Sequence, residues 1–259
     1  RDMVQNHLLQ LLCLVAMEPP PHLDADSVRD EKVKVLRSLR PISERDLDTR
    51  TVRGQYTAGV ADKREVPGYN EEQGGRASKT ETFVALCAHI DNWRWAGVPF
   101  YLRTGKRLAQ RRSEIVIQFR DVPHSIFNGN NLLANRLVIR LQPEEEISLK
   151  IMNKTPNLER FELLPFNLNL NLSAAFSGGR RRIAYERLLL EAMHDTPTLF
   201  VRRDEAETAW VWIDRIIKGW HDLDMRPVPY TAGSGGPSRA FALTERNGHS
   251  WYDETGREP

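Results

Sequence analysis

Residues 134–151, ANRLVIRLQPEEEISLKI, decide the fold. Leu137, Ile139 and Leu141 alternate with Val138, Arg140 and Gln142. After the turn Gln142-Pro143-Glu144 the alternation resumes at Ile147, Leu149 and Ile151. A repeat of two sends successive side chains to opposite faces, which marks a strand with one buried face. Two such strands joined by so short a turn leave no room for a crossover helix, so they pair antiparallel. The repeat extends outward in both directions: Ile115, Ile117 and Phe119 alternate with Val116, Gln118 and Arg120, and Phe166, Leu168, Leu170 and Leu172 alternate with asparagines. A large, mostly antiparallel sheet is expected.

Helical patterns flank these strands. Residues 3–17 carry Leu8, Leu11, Leu12 and Val15 and stop at Pro19, Pro20 and Pro21, which cannot continue a helix. Ser27 can cap a second helix, with Asp30 at the capping-box position, and Val28, Val35, Leu36 and Leu39 form its apolar stripe up to Pro41. Two more helices come after the strands. Residues 184–194 present Tyr185, Leu188, Leu189 and Ala192, and residues 204–221 present Trp210, Ile213, Ile216 and Ile217. The class is α+β, with helices covering one face of the sheet and the other face solvated or paired with a second subunit. The tail after Pro227, with Gly233-Ser234-Gly235-Gly236-Pro237, reads as an irregular strap.

Composition closes off several functions. With 37 basic and 35 acidic residues the net charge is +2, too balanced for a nucleic-acid footprint. No apolar run approaches the ~20 residues of a membrane span. Cys13 and Cys87 each lie in an apolar run and read as buried thiols of a reducing, cytoplasmic compartment. The seven histidines have no HxH, HExxH or CxxC spacing, so no metal site is expected. A phosphate loop ending at Lys106 needs glycine at position 100 and serine or threonine at 107, where the chain has Phe100 and Arg107. No G-x-G-x-x-G follows a strand, so no dinucleotide fold is visible.

Candidate chemistry is dispersed. His7 shares a helical stripe with Leu11 and Leu14, and spacing favours a satisfied core histidine over a catalytic base. Asp2 lies five residues earlier, about 140° away on an α-helix, where an acid more often caps the helix. Residues 101–112, YLRTGKRLAQRR, hold five cations between two predicted strands with no acid among them. Such a run can grip a phosphorylated ligand or serve as a solvated basic loop. Arg180-Arg181-Arg182 reads as a surface loop.

Family resemblance changes these odds. RDMVQNHLLQLLCLVAME, VRDEKVKVLRSLRPI, GQYTAG, VPGY, TETFVAL, NWRWAGVPFYLRTGKRL, ANRLVIRLQP, AYERLLLEAMHDTPTLFVRRDEAETAW and YTAGSGGP run in order from position 1 to about 237. They resemble the glucose-6-phosphate dehydrogenases. The resemblance implies that residues 1–259 are the C-terminal substrate-binding and dimerisation domain of an NADP-dependent oxidoreductase. Such an enzyme oxidises glucose 6-phosphate at C1 to 6-phosphogluconolactone, the first step of the pentose phosphate pathway.

By the resemblance His7 is the general base that takes the C1 hydroxyl proton. Asp2 holds sugar hydroxyls, Lys106 and Arg111 are substrate-binding cations, and Gln142 is a further sugar contact. Family members also carry a Rossmann coenzyme domain and a DHYLGKE-like segment, expected before residue 1 and absent here. The chain opens abruptly without an initiator methionine, so it is expected to be part of a larger protein and inactive alone. Trp251 and Tyr252 are too little to assign a second NADP site. A homodimer or dimer of dimers is implied. The alternative is a non-catalytic dimerisation module that keeps only the sheet domain.

Overall fold

The computed structural model describes residues 2–125, 132–156, 163–171, 184–194 and 196–252. The fold is α+β, and the chain divides into two compact units, residues 1–109 with 182–259, and residues 110–181. Among the described residues the strands lie in two four-stranded sheets and one short hairpin.

The first unit opens with a π-helical stretch, Met3–Leu8, continuing into α1 (Leu9–Ala16). Helix α2 (Ala25–Arg37) comes next. Its N-cap is Asp24 rather than Ser27, because the Asp24 carboxylate accepts the backbone N–H groups of Asp26 and Ser27 and the Ser27 hydroxyl as well. The short helix α3 (Leu47–Arg50) leads into strand β1 (Thr51–Thr57), then the hairpin β2 (Gly59–Ala61) and β3 (Arg64–Val66), and the one-turn helix α4 (Tyr69–Glu72).

Strands β4 (Phe83–His89) and β5 (Pro99–Gly105) extend the β1 sheet antiparallel. The five-cation segment therefore begins inside β5, not between strands. In β4 both faces are buried. Val84, Leu86 and Ala88 meet α1, α2 and the later helix residues Trp212, Ile213 and Ile216, while Phe83, Ala85 and Cys87 meet Val52, Tyr56 and Tyr230. Helices thus cover this sheet, whereas the helical coverage expected from the sequence concerned the strands of residues 113–171.

The strands of the second unit are the ones the alternation predicts: β6 (Ser113–Gln118), β7 (Arg136–Gln142), β8 (Glu146–Lys154) and β9 (Leu163–Asn171), an antiparallel meander. Leu172 and Arg180-Arg181-Arg182 lie outside the described residues. Register aligns the apolar positions in rows, Ile115–Ile139–Ile147–Leu170 and Ile117–Leu137–Leu149–Leu168, with Ile151 beside Phe166. That face is not buried as expected, since Phe166, Leu168 and Leu170 are each about half exposed. Val138 and Ser148, paired on the opposite face, are buried instead.

Helices α5 (Ala184–Met193) and α6 (Arg203–Asp222) belong to the first unit. The sequence suggests an irregular strap after Pro227, but residues Val228–Thr231 form β10, which pairs parallel with β1, and Ser238–Glu245 form α7. A buried ion pair joins α2 to α6: Lys32 Nζ lies 3.3 Å from Glu205, whose side chain is fully buried, and 2.9 Å from Gln10 on α1. Cys13 and Cys87 are free and buried, as their apolar surroundings predict, and burial pushes the Cys13 thiol up to about 12. No helix among the described residues is long and apolar enough to cross a membrane.

Candidate functional site

His7 sits in the π-helical stretch, where backbone bonds run from residue i to i+5, as Leu9 N–H to the Val4 carbonyl. That winding brings side chains five apart close to one azimuth. Val4 and Leu9 are both buried, and the next such face, Asp2 with His7, is exposed. The α-helical estimate of about 140° between Asp2 and His7 is therefore wrong for this segment. Asp2 occupies the N-cap position without capping, and its carboxylate accepts the Asn6 side-chain amide at 2.7 Å. His7 is no core histidine either. Its stripe partner Leu14 is 52 % exposed, because the core contacts fall on Leu9, Leu12, Cys13 and Ala16.

The π-helical stretch packs against β5 and α6. Strand β5 ends at Gly105, where a Cβ would come within 2.6 Å of the Phe83 ring, so only glycine allows this approach. Lys106 is next, on the surface. Its N–H donates to the Thr82 carbonyl at 2.8 Å, and its own carbonyl accepts the Tyr230 hydroxyl at 2.7 Å. Arg107 adopts a left-handed φ of 53°. The carbonyl of Arg107 accepts Gly233 N–H at 2.7 Å, and Ala109 N–H donates to the Ser234 carbonyl at 2.9 Å. Gly233 itself has φ +86°, and a Cβ there would strike the Val60 carbonyl.

The cations of this segment are not alike. Arg107 pairs with Glu72 at 3.1 Å, and Glu72 also accepts the Tyr56 hydroxyl at 2.6 Å, which holds its carboxyl below the usual range. The Arg103 guanidinium lies 4.5 Å over the Trp251 ring. In the second unit Arg112 pairs with Glu114 at 3.3 Å. Two of the five thus have acidic partners that the local sequence run does not contain. Among the described residues, the Lys106 ammonium and the Arg111 guanidinium have no partner.

Arg111 and Gln142 belong to one end of the second unit. Ser113 pairs with Gln142 across a bulge at Ser113/Glu114, and Arg111 stands two residues before that pair. Both side chains are exposed. The five predicted residues thus fall into two groups, Asp2, His7 and Lys106 on the first unit and Arg111 with Gln142 on the second. Sequence reading assigned no role to Tyr230, Thr82, Tyr56 or Glu72. The available signal was a tyrosine just ahead of a glycine-rich turn. Among the described residues no cluster of histidine, cysteine and acids could hold a metal ion.

The family model described as glucose-6-phosphate dehydrogenase, C-terminal domain, matches residues 1–252. A glucose-6-phosphate 1-dehydrogenase of Zymomonas mobilis is 57 % identical over 98 % of this chain and 53 % of its own length. One of Rhizobium meliloti is 54 % identical over 98 % and 52 %. Among solved structures, a glucose-6-phosphate dehydrogenase in complex with its substrate glucose-6-phosphate superposes with a TM-score of 0.86 at 36 % identity, over 98 % of this chain and 51 % of that one. The glucose-6-phosphate 1-dehydrogenase of Mycobacterium avium gives 0.78 at 35 %, over 98 % and 50 %. The chain spans about half the length of the curated relatives it matches.

Proposed function

The chain belongs to the glucose-6-phosphate dehydrogenase family, as its C-terminal domain, and from that premise we propose that it forms the sugar-binding half of an enzyme oxidising glucose 6-phosphate at C1. The product is 6-phosphogluconolactone, and the reaction opens the pentose phosphate pathway. One observation supports the assignment of roles: the winding of Met3–Leu8 turns Asp2 and His7 out of the core together, on an element packed against β5, the strand that Lys106 follows.

His7 takes the proton of the C1 hydroxyl as that carbon is oxidised. An imidazole suits this because its unperturbed pKa of ~6.5 lies near working pH. Asp2 orients sugar hydroxyls as an acceptor. Lys106 and Arg111, with no partner among the described residues, supply charge to the substrate, and Gln142 adds an amide contact. In the complete gene product, His7→Asn should lower turnover by about 10²–10⁴. A rate near wild type overturns the assignment.

The hydride acceptor of this reading is NADP. A dinucleotide fold needs parallel strands alternating with helices and a G-x-G-x-x-G turn. Here the described strands are antiparallel except for β1 with β10, and no such turn occurs in the sequence. The described residues thus form no dinucleotide fold, and in this reading NADP is held mainly by a separate coenzyme domain while this chain serves the sugar and the proton. We therefore expect no turnover from the 259 residues alone with glucose 6-phosphate and NADP. Measurable reduction of NADP by the isolated chain counts against this division of labour.

A homodimer or dimer of dimers completes the proposal. The support is the half-exposed apolar face of β9, since contiguous exposed apolar surface marks contact sites. Free thiols at Cys13 and Cys87 support a cytoplasmic setting.

A further inference from the structure

Tyr230 lies 124 residues after Lys106 and is buried, yet its hydroxyl meets the Lys106 carbonyl at 2.7 Å. A phenol carries one proton. The alternative acceptor, the Thr82 carbonyl, stands at 3.3 Å, so the shorter contact with Lys106 takes the proton. The Thr82 hydroxyl, 3.1 Å from the same oxygen, must then donate to Tyr230. Thr82 in turn accepts the backbone N–H of Tyr56 at 3.0 Å. The result is a directed chain: Tyr56 N–H to the Thr82 hydroxyl, that hydroxyl to Tyr230, and Tyr230 to the Lys106 carbonyl. Each bond polarises the next in a buried setting. Burial also pushes the Tyr230 phenol up, which keeps it a donor across the neutral range.

The other peptide group of Lys106 is held as well, since its N–H donates to the Thr82 carbonyl. Both backbone ends of Lys106 thus close on one Thr82–Tyr230 pair. Gly105 before it is fixed by the Phe83 ring, and Arg107 after it by Gly233 and Glu72. Against this, the Lys106 side chain is exposed and partnerless among the described residues. Backbone order concentrated on a residue whose charge has no partner among the described residues is what preorganisation for a ligand requires.

We propose that Tyr230 is a positioning residue for the substrate, acting through Lys106: its hydroxyl sets the Lys106 peptide so that the ammonium stands ready for the anionic end of the sugar phosphate. This rests on the reading of Lys106 given above. It sets Tyr230 apart from a core tyrosine, whose loss would lower stability without selecting substrate affinity.

The test uses the complete gene product with glucose 6-phosphate and NADP, comparing wild type, Tyr230→Phe, Lys106→Ala and the double variant. Tyr230→Phe should raise KM for the sugar phosphate about five- to tenfold, the worth of one hydrogen bond, with kcat within about twofold. In the Lys106→Ala background the same change should add nothing, because residues acting as a unit are not additive. An unchanged KM in Tyr230→Phe, a loss confined to kcat, or a full further rise in the double variant overturns the inference while leaving the role of Lys106 intact. If wild type fails to oxidise glucose 6-phosphate, the functional reading falls and this one with it. Should Tyr230→Phe not fold, the near-isosteric Thr82→Val removes the hydroxyl that feeds Tyr230. It must give the same selective rise in KM, and an unchanged KM there is equally fatal.

Discussion

Lys106 and Arg107 are neighbours with opposite fates. Arg107 pairs its charge with Glu72, whereas Lys106, just past the end of β5, has no charge partner among the described residues. Lys106→Ala in the complete protein should therefore act on binding. A charge-assisted hydrogen bond is worth about 1.5–3 kcal/mol, which corresponds to a KM for glucose 6-phosphate raised roughly ten- to hundredfold with kcat largely kept. Steady-state kinetics decide it, and an unchanged KM removes Lys106 from the site. At this scale the sequence was partly legible. Cys13 and Cys87 are buried thiols because their neighbours are apolar. His7 could not be read from spacing, because the stripe rule assumes 3.6 residues per turn and the local winding is wider. The pairing of Arg107 was hidden because Glu72 lies 35 residues away.

Among the elements, α4 shows how a single turn of helix can latch a distant loop. Its last residue, Glu72, accepts the Tyr56 hydroxyl and faces Arg107. The Tyr56 hydrogen bond, with Arg107 beside it, holds the carboxyl below its ordinary value. A depressed carboxyl contributes stability fully above its unfolded pKa of about 4.3 and loses it as pH falls through the lower folded value. The melting temperature of wild type should accordingly fall more steeply on acidification below about pH 4.3 than that of Glu72→Gln. Parallel slopes for the two proteins would show that the latch does not titrate. The meander β6–β9 was legible, since a period of two with short turns admits one pairing. Which face it buries was not, because alternation locates an apolar face without saying what covers it. The pairing of β10 with β1 was also hidden: four residues, Val228–Thr231, give no periodic signal, and their partner strand lies more than 170 residues earlier.

The whole molecule is two units, and its apolar surface is unevenly covered. The first unit closes β4 on both sides, while the second leaves Phe166, Leu168 and Leu170 half exposed in register with the isoleucine rows. If that face joins subunits, Leu168→Asp should convert the complete protein from a dimer or larger assembly to single subunits. Sedimentation velocity distinguishes the two, and a variant that remains assembled shows that the contact lies elsewhere. Class and family could be read before any coordinates, from segments spread along the chain. The division into units could not, since it depends on where the chain returns to β1.

That return has a consequence for biosynthesis. The strand beside β1 and the phenol that meets Lys106 both come from residues 228–231, after the whole second unit has been made. At about 5–20 residues per second, the ribosome takes roughly 6–25 seconds to pass from Lys106 to Tyr230. Throughout that interval the nascent chain holds the helical segment with His7 and the turn with Lys106, but the edge of β1 is open and the Lys106 carbonyl lacks the Tyr230 hydroxyl. A message cut short in this window yields a polypeptide whose Lys106 turn and β1 edge both lack the partners that residues 228–231 bring.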